Sequence, residues 1–516
     1  MDDSLHWLSV TTVVAFVVAL ITSLLYTPVV QRLAHKYKFV DIPDGRRKVQ
    51  TKPVALGGGY AVLVAGLLGI AVSCNVPWLT DNSPLARNPS SLTGLCMAAV
   101  LLCGMGLIDD RSGLRGSSKL LWQIVAASLI IFIGEGLQFD KVLLFGYTIN
   151  IGAWGIPITM MWLLGAVNSL NLLDGIDGLA STVGLIFCVT LGIMAIMTGH
   201  AVDAVIAFAV AGALLGFLRY NFAPATIYLG DAGSMFIGLV LGTIALRSTL
   251  KEAATVAFAG PLAILAIPFF DSLAAILRRK LTGRSLYSTD RGHIHHRLLT
   301  RGLSHPQAVM VISGLCLITG GGSLASVFFA REWIGILVVL VVFAVLILAR
   351  IFGHTELVLL NKRLMGFGRF AAGSSGAVVD TSVQLQGSLK LDPMWEALVE
   401  SADRFNLTSI QLNLFLPRLH EHFFATWKRK SDQPAECSWF ANFPLVIDGE
   451  TVGRLEVNGV QKSESMATLI GHYLDFLEPL ESQLQNLLQE ETEIETDDSE
   501  ESSTSVESIN HDARPA

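Results

Sequence analysis

The chain has 516 residues, of which 52% are apolar and only 15% charged, with a mean hydropathy of +0.55. That balance excludes an ordinary water-soluble protein of this length and indicates many bilayer-spanning helices. The formal charge of −7 is misleading taken whole, because eight of the twelve residues from Glu490 to Glu501 are acidic while the loops between apolar segments are basic; no nucleic-acid partner is expected.

Apolar stretches close to the length that crosses a hydrocarbon layer recur at 8–30, 55–76, 92–108, 119–134, 155–171, 179–198, 201–218, 234–248, 254–277, 308–330 and 333–352, about eleven in all. The first lacks a basic leader and a small-residue cleavage site, so it reads as a retained helix. Loops 31–54, 109–119 and 278–306 carry the basic residues (Arg46, Arg47, Lys48, Arg111, Arg115, Arg278, Arg279 and Lys280 among them), whereas connections on the other face hold little more than Arg87 and Lys141. An excess of Lys and Arg marks the cytoplasmic side. The expectation is an all-α polytopic membrane protein, N-terminus outside, with odd-numbered spans emptying into the cytoplasm. The six cysteines are scattered, with no paired spacing, and read as small core residues.

Beyond Arg350 the composition changes. Residues 1–352 are expected to form a transmembrane domain and 353–370 a basic juxtamembrane linker. Over 371–482, strand-like runs (SIQLNLFL, VGRLEVNG) interleave with helical patterns (PMWEALVESADRF), which predicts a small cytoplasmic soluble domain of α/β or α+β type. Residues 483–516 read as a disordered acidic tail. The soluble domain is expected to serve regulation or docking, through a homodimer or a protein partner.

Four polar segments follow odd-numbered spans and therefore share a face. LIDDRSG holds Asp109 and Asp110, NSLNLLDGIDGL holds Asn168, Asn171, Asp174 and Asp177, YLGDAGS holds Asp231, and DRGHIHH holds Arg291, His293, His295 and His296. Carboxylates are costly near lipid, so a convergent set points to function. Adjacent acids such as Asp109 and Asp110 destabilise each other unless a cation neutralises them, with Lys119 one candidate; a plain helix-terminating turn is the bland alternative. Asn168, Asn171, Asp174 and Asp177 recur every three residues, predicting a polar stripe at a span end, where Gly175 and Gly178 permit close backbone approach or a break in the helix. Asp231, among small residues at a helix start, is the preferred direct metal ligand, although a simple N-cap would look the same. Three close histidines could bind zinc, but no cysteine or dedicated acid accompanies them; donation to a diphosphate or sugar is favoured. Lys52, before Gly57, Gly58 and Gly59, is read equally as a phosphate contact and as the flank of a close helix crossing. Asp271 is the deepest charged exception within the spans, near their cytoplasmic end. Hard carboxylate oxygens suggest Mg²⁺, with Mn²⁺ as the alternative, and a phosphorylated substrate at the membrane surface.

In this order, KPVALGG, LIDDRSGLRGSSK, NSLNLLDGIDGLA, YLGDAGS and GHIHHRLL resemble the polyprenyl-phosphate N-acetylhexosamine-1-phosphate transferase family, over roughly residues 8–350. HIHH, RLLTRGL and IPFFDSLAAILRR look like the branch that uses UDP-GlcNAc rather than the phospho-MurNAc-pentapeptide branch. The resemblance implies transfer of a sugar 1-phosphate from a UDP-sugar donor to undecaprenyl phosphate, a polyprenyl phosphate lipid acceptor, releasing UMP. It also implies Asp231, with Asp174, as metal ligands; Asp109 and Asp110 beside the lipid phosphate; Asn171, Asp174 and Asp177 lining the nucleotide and metal pocket; Lys52 and Lys119 on phosphate or nucleotide; and the histidines on diphosphate or sugar. Direct attack by the lipid phosphate and a covalent route through Asp109 or Asp110 both remain open at this level. A secondary transporter is the rival class, disfavoured because the acids sit at span ends rather than at midplane.

Overall fold

The computed structural model describes residues 2–42, 52–75, 89–133, 137–139, 141–144, 147–250, 259–281, 292–354, 356–357, 360, 378–386, 391–416, 421–429, 438–447, 450–460 and 468–479. Arg291 and the acidic tail lie outside them, as does most of the expected linker. The chain divides into two compact units, Met1–Leu277 with Leu286–Gly353, and Arg278–Ser285 with His354–Ala516.

In the first unit the helices are α1 (Asp2–Lys36), α2 (Gly58–Asn75), α3 (Pro89–Ser112), α4 (Gly116–Ile133), α5 (Gly155–Leu173), α6 (Leu179–Met197), α7 (Ala201–Asn221), α8 (Gly230–Leu250), α9 (Ala259–Ile264), α10 (Ala266–Leu281), α11 (Ile294–Thr300), α12 (His305–Phe328) and α13 (Glu332–Leu348). Among the described residues, nine helices are long and apolar enough to cross a membrane, and the shorter apolar Glu332–Leu348 follows them. Most are apolar on all sides, as helices bounded by lipid and by one another must be.

Within the expected ninth span, 254–277, the described residues from 259 onward form two helices broken at Leu265. The cause is Pro268. In a continuous helix its nitrogen would have to bond the carbonyl of Ile264, but proline has no N–H and its ring collides with that carbonyl. The next expected span starts earlier than its hydropathy suggests: α12 opens at a capping box in which Ser304 N–H donates to Gln307 Oε1 at 2.9 Å.

Helix α8 is central and packs against α2, α3, α5 and α6. Its N-terminus can be central because small residues meet there backbone to backbone. A Cβ added to Gly59 of α2 would lie 2.1 Å from the Gly233 nitrogen, and one added to Gly106 of α3 would lie 2.3 Å from the Ala232 Cα. The glycines of KPVALGGG thus serve a close crossing. Two short strands, β1 (Val40–Asp41) and β2 (Val54–Ala55), pair antiparallel, and Ala55 bridges in parallel to Ile227. From there Gly58 N–H donates to Tyr228 O and Gly59 N–H to Leu229 O, so this segment runs alongside the one leading to Asp231. A hairpin, β3 (Lys141–Leu144) with β4 (Tyr147–Asn150), precedes α5.

In the second unit, β5 (Val378–Gln386), β6 (Leu407–Leu416), β7 (Glu421–Arg429), β8 (Ser438–Ile447) and β9 (Glu450–Val460) form an antiparallel sheet ordered β5-β7-β6-β9-β8. Ile410, Leu412 and Leu414 alternate toward the core, where Met394, Trp395, Leu398 and Ala402 of the helix Asp392–Arg404 meet them at helical spacing. This is an α+β domain, one of the two forms the sequence allowed.

Candidate active site

The ends of α3 and α5 and the beginnings of α4 and α8 meet at one end of the membrane bundle. At their centre is Asp231, in the first turn of α8. Its Oδ2 accepts Lys119 Nζ at 2.7 Å and its Oδ1 accepts Asn171 Nδ2 at 2.9 Å. Lys119 also forms an ion pair with Asp109 Oδ2, while Asp109 Oδ1 accepts Leu114 N–H at 2.6 Å. One ammonium therefore holds the carboxylates of Asp109 and Asp231 on either side of itself. Ser234 completes the turn, accepting from Asn171 at 3.1 Å and donating to Gly230 O at 3.0 Å.

Asp110 does something different from its neighbour. Its Oδ1 accepts the backbone N–H of Asp231 at 2.9 Å, so it caps α8 from another helix. Gly230 makes room for it: the glycine sits at φ +71°, and a Cβ there would fall 2.5 Å from Asp110 Oδ2. That second oxygen is buried without a hydrogen-bond partner.

The expected polar stripe is helical only as far as Asn171. Asn168 and Asn171 lie within α5, but Asp174 is its C-cap at φ −76°, ψ 57°, and Asp177 lies in the loop before Gly178, which starts α6 at φ +76°. The glycines end the helix, so the last two acids are aimed by the loop instead. Asp174 is the acid most exposed to its neighbours' charge. Removal from water, then the charges of Asp231, Asp110 and Asp177, hold its carboxyl well above the usual carboxylate range. Asp177 braces the approach to α8, its Oδ2 accepting Ala225 N–H at 2.9 Å. Asn168 takes other partners: it exchanges hydrogen bonds with Gln123, at 2.8 Å and 3.2 Å, and donates to Leu164 O.

Lys52 is exposed at the start of the segment that runs beside residues 227–229. The histidine segment reaches the Asp174–Asp177 loop through His295, whose buried ring lies where a Cβ on Gly175 would be, 2.2 Å from Nε2. Burial, with His296 alongside, pushes the His295 imidazole down to about 3, so it is neutral at physiological pH. Residues not assigned from sequence also matter here: Gln123, Ser234, Gly230 and Asp271, whose carboxylate holds His293. Asp271 carried one visible signal, a lone acid in an apolar helix.

The donor chemistry fits a hard divalent cation. Carboxylates outnumber the bound ammonium, Asp110 has an orphaned buried oxygen, and Asp174 is destabilised by its own neighbours. Among the described residues no group of three or more Asp, Glu, His and Cys side chains is gathered into a cage. Mg²⁺ commonly takes only one or two carboxylates, with water and substrate phosphate completing its shell.

Comparison with known proteins places the chain. A family model described as "Glycosyl transferase family 4" matches residues 92–249, the stretch from Asp109 through Asp231. The "Probable undecaprenyl-phosphate N-acetylglucosaminyl 1-phosphate transferase" of Bacillus subtilis (strain 168) is 34% identical over 300 residues, covering 58% of this chain and 80% of the relative. The "Decaprenyl-phosphate N-acetylglucosaminephosphotransferase" of Mycobacterium tuberculosis (strain ATCC 25618 / H37Rv) is 32% identical over 347 residues, 61% of this chain and 82% of the relative. The "Phospho-N-acetylmuramoyl-pentapeptide-transferase" of Clostridium novyi (strain NT) is 29% identical over 322 residues, 58% of this chain and 92% of the relative. With acids and lysine gathered at the ends of membrane helices and this extent of similarity, the chain belongs to glycosyl transferase family 4, among the polyprenyl-phosphate hexosamine-1-phosphate transferases.

Proposed function

We propose that the protein transfers GlcNAc-1-phosphate from UDP-GlcNAc to undecaprenyl phosphate, giving undecaprenyl-diphosphate-GlcNAc and UMP, as a first membrane step of cell-envelope polysaccharide synthesis. The observation that carries this reading is Asp231, held between Lys119 and Asn171 with Asp109, Asp110 and Asp174 around it, at the end of the spans where a lipid headgroup lies. The greater identity to the two N-acetylglucosamine relatives, 34% and 32% against 29%, favours GlcNAc over the muramoyl-pentapeptide donor.

The acceptor is a phosphate monoester whose second pKa is near 6, so it is largely dianionic at cytoplasmic pH and needs little help from a base. Repulsion between two anions is the larger obstacle. Lys119 offers a positive charge fixed between two carboxylates, and Asn171 keeps Asp231 in one orientation. Asp231 and Asp174 would hold Mg²⁺, which when bound supplies charge neutralisation and alignment at the diphosphate. Direct attack by the acceptor oxygen on the β-phosphorus is favoured over a covalent route. Asp109 has both oxygens engaged, by Leu114 N–H and Lys119, and Asp110 holds the α8 terminus with Oδ1, which leaves only its buried Oδ2 as a nucleophile. The reading places the site on the cytoplasmic leaflet of a bacterial plasma membrane, with the α+β domain as a regulatory or docking module.

Membranes supplied with labelled UDP-GlcNAc, undecaprenyl phosphate and Mg²⁺ should make a lipid-linked sugar and release UMP, and EDTA should stop both. Asp231→Asn should abolish turnover while leaving folded protein. Unchanged turnover in that variant would show that Asp231 neither holds the metal nor serves the transfer.

A further inference from the structure

We infer that Asp271 is a positioning residue: it seats the histidine segment against the Asp174–Asp177 loop and so governs how tightly the sugar-nucleotide donor is held. The inference rests on the function proposed above for what it says of the donor. The seat itself rests on contacts alone.

Asp271 belongs to α10, beyond the break at Leu265, and is only 2% exposed. Its Oδ2 pairs with His293 Nδ1 at 2.8 Å, and its Oδ1 accepts Ile294 N–H at 2.9 Å. Both oxygens are thus committed to two consecutive residues of a segment that begins 22 positions later in the chain. A buried carboxylate satisfied in this way fixes the segment in place and in direction. It also fixes the imidazole: with Nδ1 held against Asp271, the His293 ring has one orientation and Nε2 is its other nitrogen.

From His293 the arrangement continues by stacking. The His295 ring lies parallel to His293, with centroids 5.8 Å apart and planes 7° apart, and His296 follows with its centroid 4.3 Å from that of His295. Among the described residues His295 has no hydrogen-bond partner at either ring nitrogen. Its position is therefore set by packing, between His293 on one side and Gly175 on the other. Asp271, His293, His295 and Gly175 form one line of contact that ends beside Asp174. Asp271 is buried with both oxygens engaged, so it acts through its neighbours.

The test uses the full-length protein in membranes. Asp271→Asn keeps the shape and one acceptor but loses the charge and the second N–H pairing. Its KM for UDP-GlcNAc should rise about tenfold, with kcat and the KM for undecaprenyl phosphate within about twofold of the parent. Gly175→Ala, which disturbs the other end of the line, should shift the same constant. Asp271→Asn combined with His293→Gln should cost no more than the worse single change. Amide hydrogen exchange in residues 292–300 should quicken in Asp271→Asn, a readout that needs no turnover. Equal rises in both KM values, additive effects with His293→Gln, or unchanged exchange in 292–300 would overturn the inference. Parent protein inactive with UDP-GlcNAc, alongside quickened exchange in the variant, would overturn the functional reading and leave the seat standing.

Discussion

Asp110 accepts the backbone N–H of Asp231 at 2.9 Å, across 121 residues of sequence. One acid of the membrane site thus holds the helix that presents another. A carboxylate at a helix N-terminus is worth roughly 0.3–1 kcal/mol when exposed and up to about 2 when partly buried, and here it also fixes direction.

Gly230 is the weak point of that arrangement. Gly230→Ala would add a Cβ 2.5 Å from Asp110 Oδ2 at a residue held at φ +71°. The expected result is a loss of activity of at least about tenfold, from left-handed strain of about 1–2 kcal/mol together with displacement of Asp110. Pairing it with Asp110→Ala should relieve the collision, so the double variant should unfold in detergent at a higher temperature than additivity predicts.

Lys119→Met removes the ammonium between Asp109 and Asp231 while keeping most of the side-chain volume. Turnover should fall by about 10² or more, the scale seen when a fixed electrostatic group is removed. Lys119→Arg should recover only part of it, because a planar fork cannot replace a point charge between two carboxylates. Lipid-linked sugar formed per minute, normalised to folded protein, measures both.

His295 gives a pH dependence with a definite sign. The native ring resists protonation down to about 3, against about 6.5 when unfolded. Between those values the unfolded chain binds a proton that the native chain refuses, so stability is complete above about 6.5 and declines as pH falls. Thermal unfolding in detergent should show a midpoint dropping from pH 7.5 to pH 5. His295→Phe should flatten that drop.

Gln123 and Asn168 form a reciprocal amide pair. Replacing either alone by Leu leaves a polar partner stranded, at about 1–3 kcal/mol, whereas replacing both should cost less than the sum. A double-mutant cycle on detergent stability measures the coupling.

Much of the site was legible because charge at the end of an apolar span has few explanations. Asp109 and Asp231 could be grouped from that, and Asn171 as an amide inside an apolar run; Lys119 bridges the two acids and Asn171 donates to Asp231. The rest depended on partners distant in sequence. Nothing local distinguishes Asp110 as a cap for α8, or turns Asn168 toward Gln123, because those choices are made by helix packing. Where the stripe ends was legible locally: the glycines at 175 and 178 allow a helix break, and the helix stops before Asp174. Pro268 was equally visible, and hydropathy overrode it. A window average registers apolarity and ignores a missing N–H.

The crossing of α2, α3 and α8 has a bearing on how such a protein could be re-engineered. Beneath Asp231 the contacts at Gly59 and Gly106 are made by main chain, and an added methyl at either meets a backbone atom within 2.3 Å. At these two glycines the helices meet main chain to main chain, with no side chain to exchange. On the function proposed above, altered donor preference has to be built in the Asp174–Asp177 loop and the histidine segment, away from this crossing.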